Sequence, residues 1–217
     1  DGTVWIGATN AIYRYTDGRL EKFADIGERI RSMYLDRDNR IWIGTVNPGV
    51  FQITNNQLHH FTVKNGLPPE SIWRVLYDRD GNIWLGSDGK GLFRAKPGSF
   101  KDDNEIITLE QFSEHEGLTN NRISALFEDR EGSVWVGTFR GGLNRLRDGK
   151  FITYALANGM VHPVIYPIVQ ENNGDMWFGT EGGLSHFADN RFINYTTAHG
   201  LSNNQVRGIV RDPKGRL

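Results

Sequence analysis

Apolar positions along this chain come in short runs. Clusters of Gly, Asn, Asp and Ser separate them, and the same order of runs returns about every forty residues. Runs of this length bounded by turn residues predict strands. Each period reads as four of them. The first is an apolar run ending in an acid, at 30–36, 71–78, 122–129, 164–171 and 205–212. A tight turn leads to a second strand that carries a tryptophan. The third strand follows a Gly-rich link, at 49–53, 91–95, 142–146 and 183–187, with a weaker copy at 11–15. The fourth has an apolar–x–x–aromatic pattern, as in Leu58/Phe61 or Phe192/Tyr195, and a Gly-Leu or Gly-Met loop leads into the next period.

The tryptophans fix the repeat. Trp5, Trp42, Trp84, Trp135 and Trp177 sit in equivalent settings. Two residues after each is a glycine (Gly7, Gly44, Gly86, Gly137, Gly179), and three residues before each is Gly or Asn. Six residues before the last four is an acid: Asp36, Asp78, Asp129 or Glu171. The acid is expected to accept backbone N–H bonds in the turn, and the Gly or Asn to take positive φ there. The ring is expected to fill the gap between neighbouring repeats, and its glycine to leave room for that ring.

Four strands in about 42 residues match the blade of a β-propeller, whose sheets cover their faces by stacking on one another. The predicted fold is therefore all-β, a propeller of four-stranded antiparallel blades occupying 1–217, with repeats at roughly 1–36, 37–78, 79–129, 130–171 and 172–212. The third repeat is longer, and its extra segment 96–105 reads as a polar hairpin on the rim. The closing run 205–212 permits a five-bladed ring if it pairs with the opening segment 3–23. An open piece of a larger ring is the favoured expectation, with the chain, which starts without Met, a fragment of a longer protein.

Composition narrows the function. Glycine is abundant, at 26 of 217 residues, as frequent turns require, and the 24% of charged residues suits a globular chain. With no cysteine there is neither a disulfide scaffold nor a thiolate metal site. A net charge of −1 without a Lys/Arg block argues against nucleic acid, and no stretch has the length of a membrane span. None of the six histidines has metal-ligand spacing, and the repeated acids lack the rest of a calcium loop. No nucleophile elbow, P-loop or dinucleotide fingerprint is present. No catalytic residue, metal site or cofactor is expected.

The motif Asp-x-x-Gly-x-aliphatic-Trp-apolar-Gly-Thr/Ser, then Gly-Leu/Val-x-Arg/His/Gln, then an aromatic and a Gly-Leu loop, resembles the two-component regulator propeller repeat. The likeness is sharpest around Trp84, Trp135 and Trp177. It implies a seven-bladed parent, and a periplasmic sensor region of a membrane-bound signalling protein whose kinase or cyclase output lies elsewhere. It also implies a small-molecule or oligosaccharide ligand, and a homodimer through the parent protein, with no membrane contact by this segment.

Ligands of propellers are expected on the loops between blades and between second and third strands, where variation sits on a constant scaffold. Those loops offer Trp73, Arg74, Asn121, Arg122, Phe139, Arg140, Tyr166, Glu181, Asn204 and Arg207 as ligand-binding candidates. Rings suit the apolar face of a sugar, and amides and guanidinium groups suit its hydroxyls. Trp73, outside the repeated tryptophan position, leads, and Arg140 is next. The alternatives are a protein–protein scaffold without a small ligand and a propeller lyase or glycan-acting enzyme. An apolar surface patch would favour the first, and clustered acid, His or Tyr groups the second.

Overall fold

The computed structural model describes residues 2–101, 104–212 and 214–217. The chain is all-β and divides into two compact units, Asp1–Gln111 and Phe112–Leu217. The first unit holds a three-stranded sheet, β1 (Val4–Gly7), β2 (Ala11–Thr16) and β3 (Arg19–Asp25), followed by two four-stranded sheets. These are β4 (Ile30–Leu35) to β7 (Gln57–Phe61) through β5 (Ile41–Thr45) and β6 (Val50–Thr54), and β8 (Ile72–Tyr77), β9 (Ile83–Ser87), β10 (Leu92–Ala95) and β11 (Leu109–Phe112). The second unit holds β12 (Ile123–Glu128), β13 (Val134–Thr138), β14 (Gly142–Arg147) and β15 (Lys150–Tyr154), then β16 (Ile165–Gln170), β17 (Met176–Thr180), β18 (Leu184–Ala188) and β19 (Arg191–Tyr195). Neighbours in sequence pair antiparallel throughout, the meander of a propeller blade. Among the described residues no helix is long and apolar enough to cross a membrane.

The aspartate six residues before Trp42, Trp84 and Trp135 does two jobs at once. One carboxylate oxygen accepts turn N–H groups, as Asp78 does from Asp80 (3.0 Å) and Asn82 (2.8 Å). The other accepts the indole N–H: Trp42 to Asp36 at 2.9 Å, Trp84 to Asp78 and Trp135 to Asp129 at 2.7 Å; Trp177 donates to Glu171 at 2.5 Å. A buried indole N–H needs an acceptor, and the hairpin acid is the one within reach. Register explains the next repeated position. Trp5, Trp42, Trp84, Trp135 and Trp177 lie opposite Arg14, Gln52, Arg94, Arg145 and His186. Arg94 and Arg145 lie over their rings, at 5.4 and 5.0 Å, and His186 stacks on its own at 4.1 Å.

The rings do fill the space toward the next repeat. Trp42 is fully buried, in a cluster with Ile72, Val75, Leu85 and Phe93 of the following sheet. Trp135 does the same against Ile165, Ile168, Met176 and Phe178. Burying one such ring, about 200 Å² at ~25 cal/mol/Å², contributes about 5 kcal/mol before ordering entropy.

Three expectations are corrected. The glycine two residues after the tryptophan makes room for the first strand or opening segment of the next repeat, backbone or side chain, not for the indole. A Cβ on Gly44 would run into the carbonyl oxygen of Ile72, one on Gly137 would lie 2.8 Å from Ile165 Cβ, and one on Gly179 2.6 Å from Val206 O. The segment 96–105, of which 102 and 103 lie outside the described residues, forms no hairpin strands among those described. It drops Phe100 into the core instead, edge-on to Trp42 (5.1 Å) and Phe61 (4.9 Å). Ile107 is buried just beyond it, its N–H bonded to Asn65 O at 2.8 Å. Finally, the run 205–212 carries no strand; the first sheet, which opens at a second strand, has three.

The Gly-Leu loops are short 3-10 turns at Val63–Asn65, Glu114–Glu116, Leu156–Asn158 and Thr197–His199. Each ends on a glycine of left-handed φ (86 to 106°), which returns the chain to the following blade.

Candidate functional site

Two of the candidate residues, Trp73 and Tyr166, sit at breaks in the pairing of the first two strands. Pairing of the first two strands breaks register between Ile30 and Ser32, Ile72 and Arg74, Ile123 and Ala125, and Ile165 and Ile168. A β-bulge turns a side chain out of the alternating pattern. The residues at the breaks are Arg31, Trp73, Ser124 and Tyr166, each five positions before the hairpin acid, and Arg207 holds the same position before Asp212.

The loop between second and third strands is fixed by a buried hydroxyl three residues after Trp84, Trp135 and Trp177. Ser87 donates to Gly91 O (2.8 Å), Thr138 to Gly142 O (3.0 Å) and Thr180 to Gly183 O (2.8 Å), while Thr45, in the same place after Trp42, donates to Glu28 at 2.7 Å. The next residue, variable in sequence, is Val46, Asp88, Phe139 or Glu181. In three of them its N–H bonds the start of the first strand in the same repeat: Val46 N to Arg29 O (3.0 Å), Asp88 N to Ser71 O (3.0 Å) and Phe139 N to Arg122 O (2.9 Å). Variable side chains thus stand on a recurring hydrogen-bonded frame.

In the first unit Arg31 lies over Trp73 at 5.0 Å, and Arg74 donates to the Trp73 carbonyl at 2.8 Å. Burial, with Arg31 adding to it, lowers the pKa of Arg74 from the ordinary arginine value. In the second unit Arg122 and Arg140 both lie over Phe139, at 4.6 and 5.3 Å. Tyr166 donates its hydroxyl to Glu181 at 2.5 Å, and Arg207 lies over its ring at 5.1 Å. Desolvation, and then the bond to Glu181, raise the Tyr166 pKa, so the phenol is a donor at neutral pH. Every candidate ring is therefore covered by a guanidinium, an arrangement the sequence did not reveal.

The two candidate amides have internal work. Asn121 Oδ1 accepts from Glu114 N at 2.9 Å and Asn204 Oδ1 from Thr197 N at 2.7 Å, each pinning the first N–H of a 3-10 turn seven residues earlier. Among the described residues no group of three His, Cys, Asp or Glu is placed to hold a metal.

This geometry can be set beside known proteins. The extracellular domain of BT3049 from B. thetaiotaomicron, assigned to a hybrid two component system, superposes on 99% of this chain with a TM-score of 0.85 at 20% identity. PorZ of Porphyromonas gingivalis, a surface component of the type-IX secretion system, matches 97% of it at 0.73 and 14%. Virginiamycin B lyase of Staphylococcus aureus matches 89% at 0.68 and 16%. This chain spans 29%, 34% and 66% of those chains, respectively. No curated protein matches the sequence.

Blade meander, inter-blade tryptophan and these superpositions make the chain a β-propeller domain. Residues 25–47, 66–89 and 117–140 match the model of the two component regulator propeller, so three of the repeats carry that family's pattern.

Proposed function

We propose that the chain is part of the extracytoplasmic, periplasmic sensor of a bacterial signalling protein, binding a small molecule or oligosaccharide on the loop face of its blades. The observation that carries this is the pairing of constant frame and variable tip. The hydroxyl-pinned loop and the bulge recur from blade to blade, while the side chains they present change from Trp73 to Phe139 to Tyr166. The family of the repeats and the fold of the hybrid-system domain point the same way. The blades are stiff, so the signal passes as a shift at an interface of the parent protein, possible only if ligand favours one of two states.

One observation favours an enzyme: Tyr166 and Glu181 are within hydrogen-bond reach in a fold shared with a lyase. The same bond holds the Tyr166 phenol as a donor, with Arg207 over its ring, and no further acid or histidine joins the pair among the described residues, so binding is the better reading.

The test is solution mass and thermal melting of the whole chain against a panel of oligosaccharides. A ligand at a hundred times its Kd adds about 2.7 kcal/mol to a state that alone binds it, raising Tm by roughly 5–10 °C at this length. A panel that moves nothing refutes the binding reading, and turnover of a panel member with loss on Tyr166→Phe replaces it with the enzymatic one.

A further inference from the structure

In the scaffold, ring-covering arginines are neutralised. Arg40 over Trp42 bonds Asp36 at 2.8 Å, Arg145 over Trp135 bonds Asp129 at 2.9 Å, and Arg94 over Trp84 bonds Glu110. On the loop face of the second unit the pattern changes. Arg140 over Phe139 and Arg207 over Tyr166 have no carboxylate partner among the described residues. Glu181, the one candidate carboxylate there, accepts the Tyr166 hydroxyl.

We infer that Arg140, with Arg122 on the same Phe139 ring, receives a carboxylate of the ligand, which makes that ligand an acidic saccharide. The inference rests on the reading of this face as the ligand-binding one. Phe139 already carries a guanidinium at 4.6 Å and another at 5.3 Å, so its ring positions cations and is not a free platform for a sugar. A guanidinium held over a ring still presents N–H donors around its edge, and that edge matches the two oxygens of a carboxylate.

Backbone conformation supports the assignment. Arg140 has a φ of 72°, and the other described non-glycine residues of positive φ are all Asp or Asn. The residue at the same position after the tryptophan in the preceding repeat is Gly89, φ 119°. Left-handed backbone is costly for a long side chain and collects at functional positions. Among the described residues the Arg140 guanidinium has no partner besides the Phe139 ring. Two residues beyond Arg122, Ser124 is buried at a bulge, and its Oγ has no hydrogen-bond partner among the described residues.

The experiment is calorimetric titration of the whole chain with three probes: trigalacturonate, the neutral trisaccharide maltotriose, and citrate. Trigalacturonate is expected to bind at least about tenfold tighter than maltotriose, an advantage that shrinks as salt rises. Arg140→Gly, which relieves the backbone, is expected to weaken trigalacturonate about tenfold or more without lowering Tm. Equal binding of the two trisaccharides overturns the inference and leaves the sensor reading standing. Binding of neither overturns both. Citrate binding as tightly as trigalacturonate overturns the saccharide assignment, and an unchanged preference in both Arg140→Gly and Arg122→Gln overturns the site.

Discussion

Asp129→Ala strikes the bond that defines this repeat. The carboxylate is 2% exposed and accepts from Ser133 N at 2.7 Å, Trp135 Nε1 at 2.7 Å and Arg145 Nη2 at 2.9 Å. The alanine leaves two buried neutral donors without this acceptor and a guanidinium, 19% exposed, without its counter-charge. At about 1–3 kcal/mol for each stranded donor, the expected loss is about 3–5 kcal/mol, or roughly 10 °C of Tm for a chain this long. Trp135→Phe keeps most of the ring packing and removes the indole donor, so it should cost less on its own. The double mutant should lose less than the two single losses combined, because each single change already breaks the shared bond. Asp212→Ala is the control: the same turn bonds form there, to Lys214 N and Arg216 N, but at the surface and with no indole, so the fall should be far smaller. Urea denaturation of the four variants measures all of this. A loss under about 1 kcal/mol for Asp129→Ala, or additive losses in the Asp129/Trp135 cycle, would refute the clamp as a stabilising unit.

Gly44→Ala should destabilise by about 1–3 kcal/mol or more, because its methyl group meets the Ile72 carbonyl and Ser32 Oγ, whereas Gly208→Ala, with open space around it, should be near neutral in the same melting assay. Phe100→Ala should cost about 3–5 kcal/mol by emptying the space between Trp42 and Phe61, and a surface-like loss below 0.5 kcal/mol would contradict its burial. The Ser113 hydroxyl, then His115, hold the Glu116 carboxyl down at about 2, so this carboxylate favours the folded chain above its ordinary value near 4.5. That contribution should fade as pH falls from there through 2, and an NMR titration of Ser113→Ala should find the carboxyl moved back up toward 4.5.

Much of the fold was legible because its determinants are local and repeated. The spacing of Asp36, Trp42 and Gly44 and of their counterparts marks a hairpin and an inter-blade ring wherever it occurs. Asn39, Gly81, Gly132 and Gly174 all have the positive φ their turns demand. A further local signal was available: Asp17-Gly18, Asn55-Asn56, Asp148-Gly149 and Asp189-Asn190 are two-residue loops of positive φ, the hairpin turns between third and fourth strands. Phe100 was less legible, since one aromatic in a polar stretch carries no periodicity to say that it turns inward.

The candidate site was legible as a set of loops but not as an arrangement. The repeat, the strand order, the turn chemistry and the positions where side chains vary could be read along the chain, because each depends on residues within one period. It took the folded chain to show that the hairpin acid holds the indole, that the glycine yields to the start of the next repeat, and that Arg31 lies over Trp73 and Arg207 over Tyr166. Those contacts join a strand to its neighbour or a blade to the next, and pairings across such distances leave no spacing in the chain from which to read them.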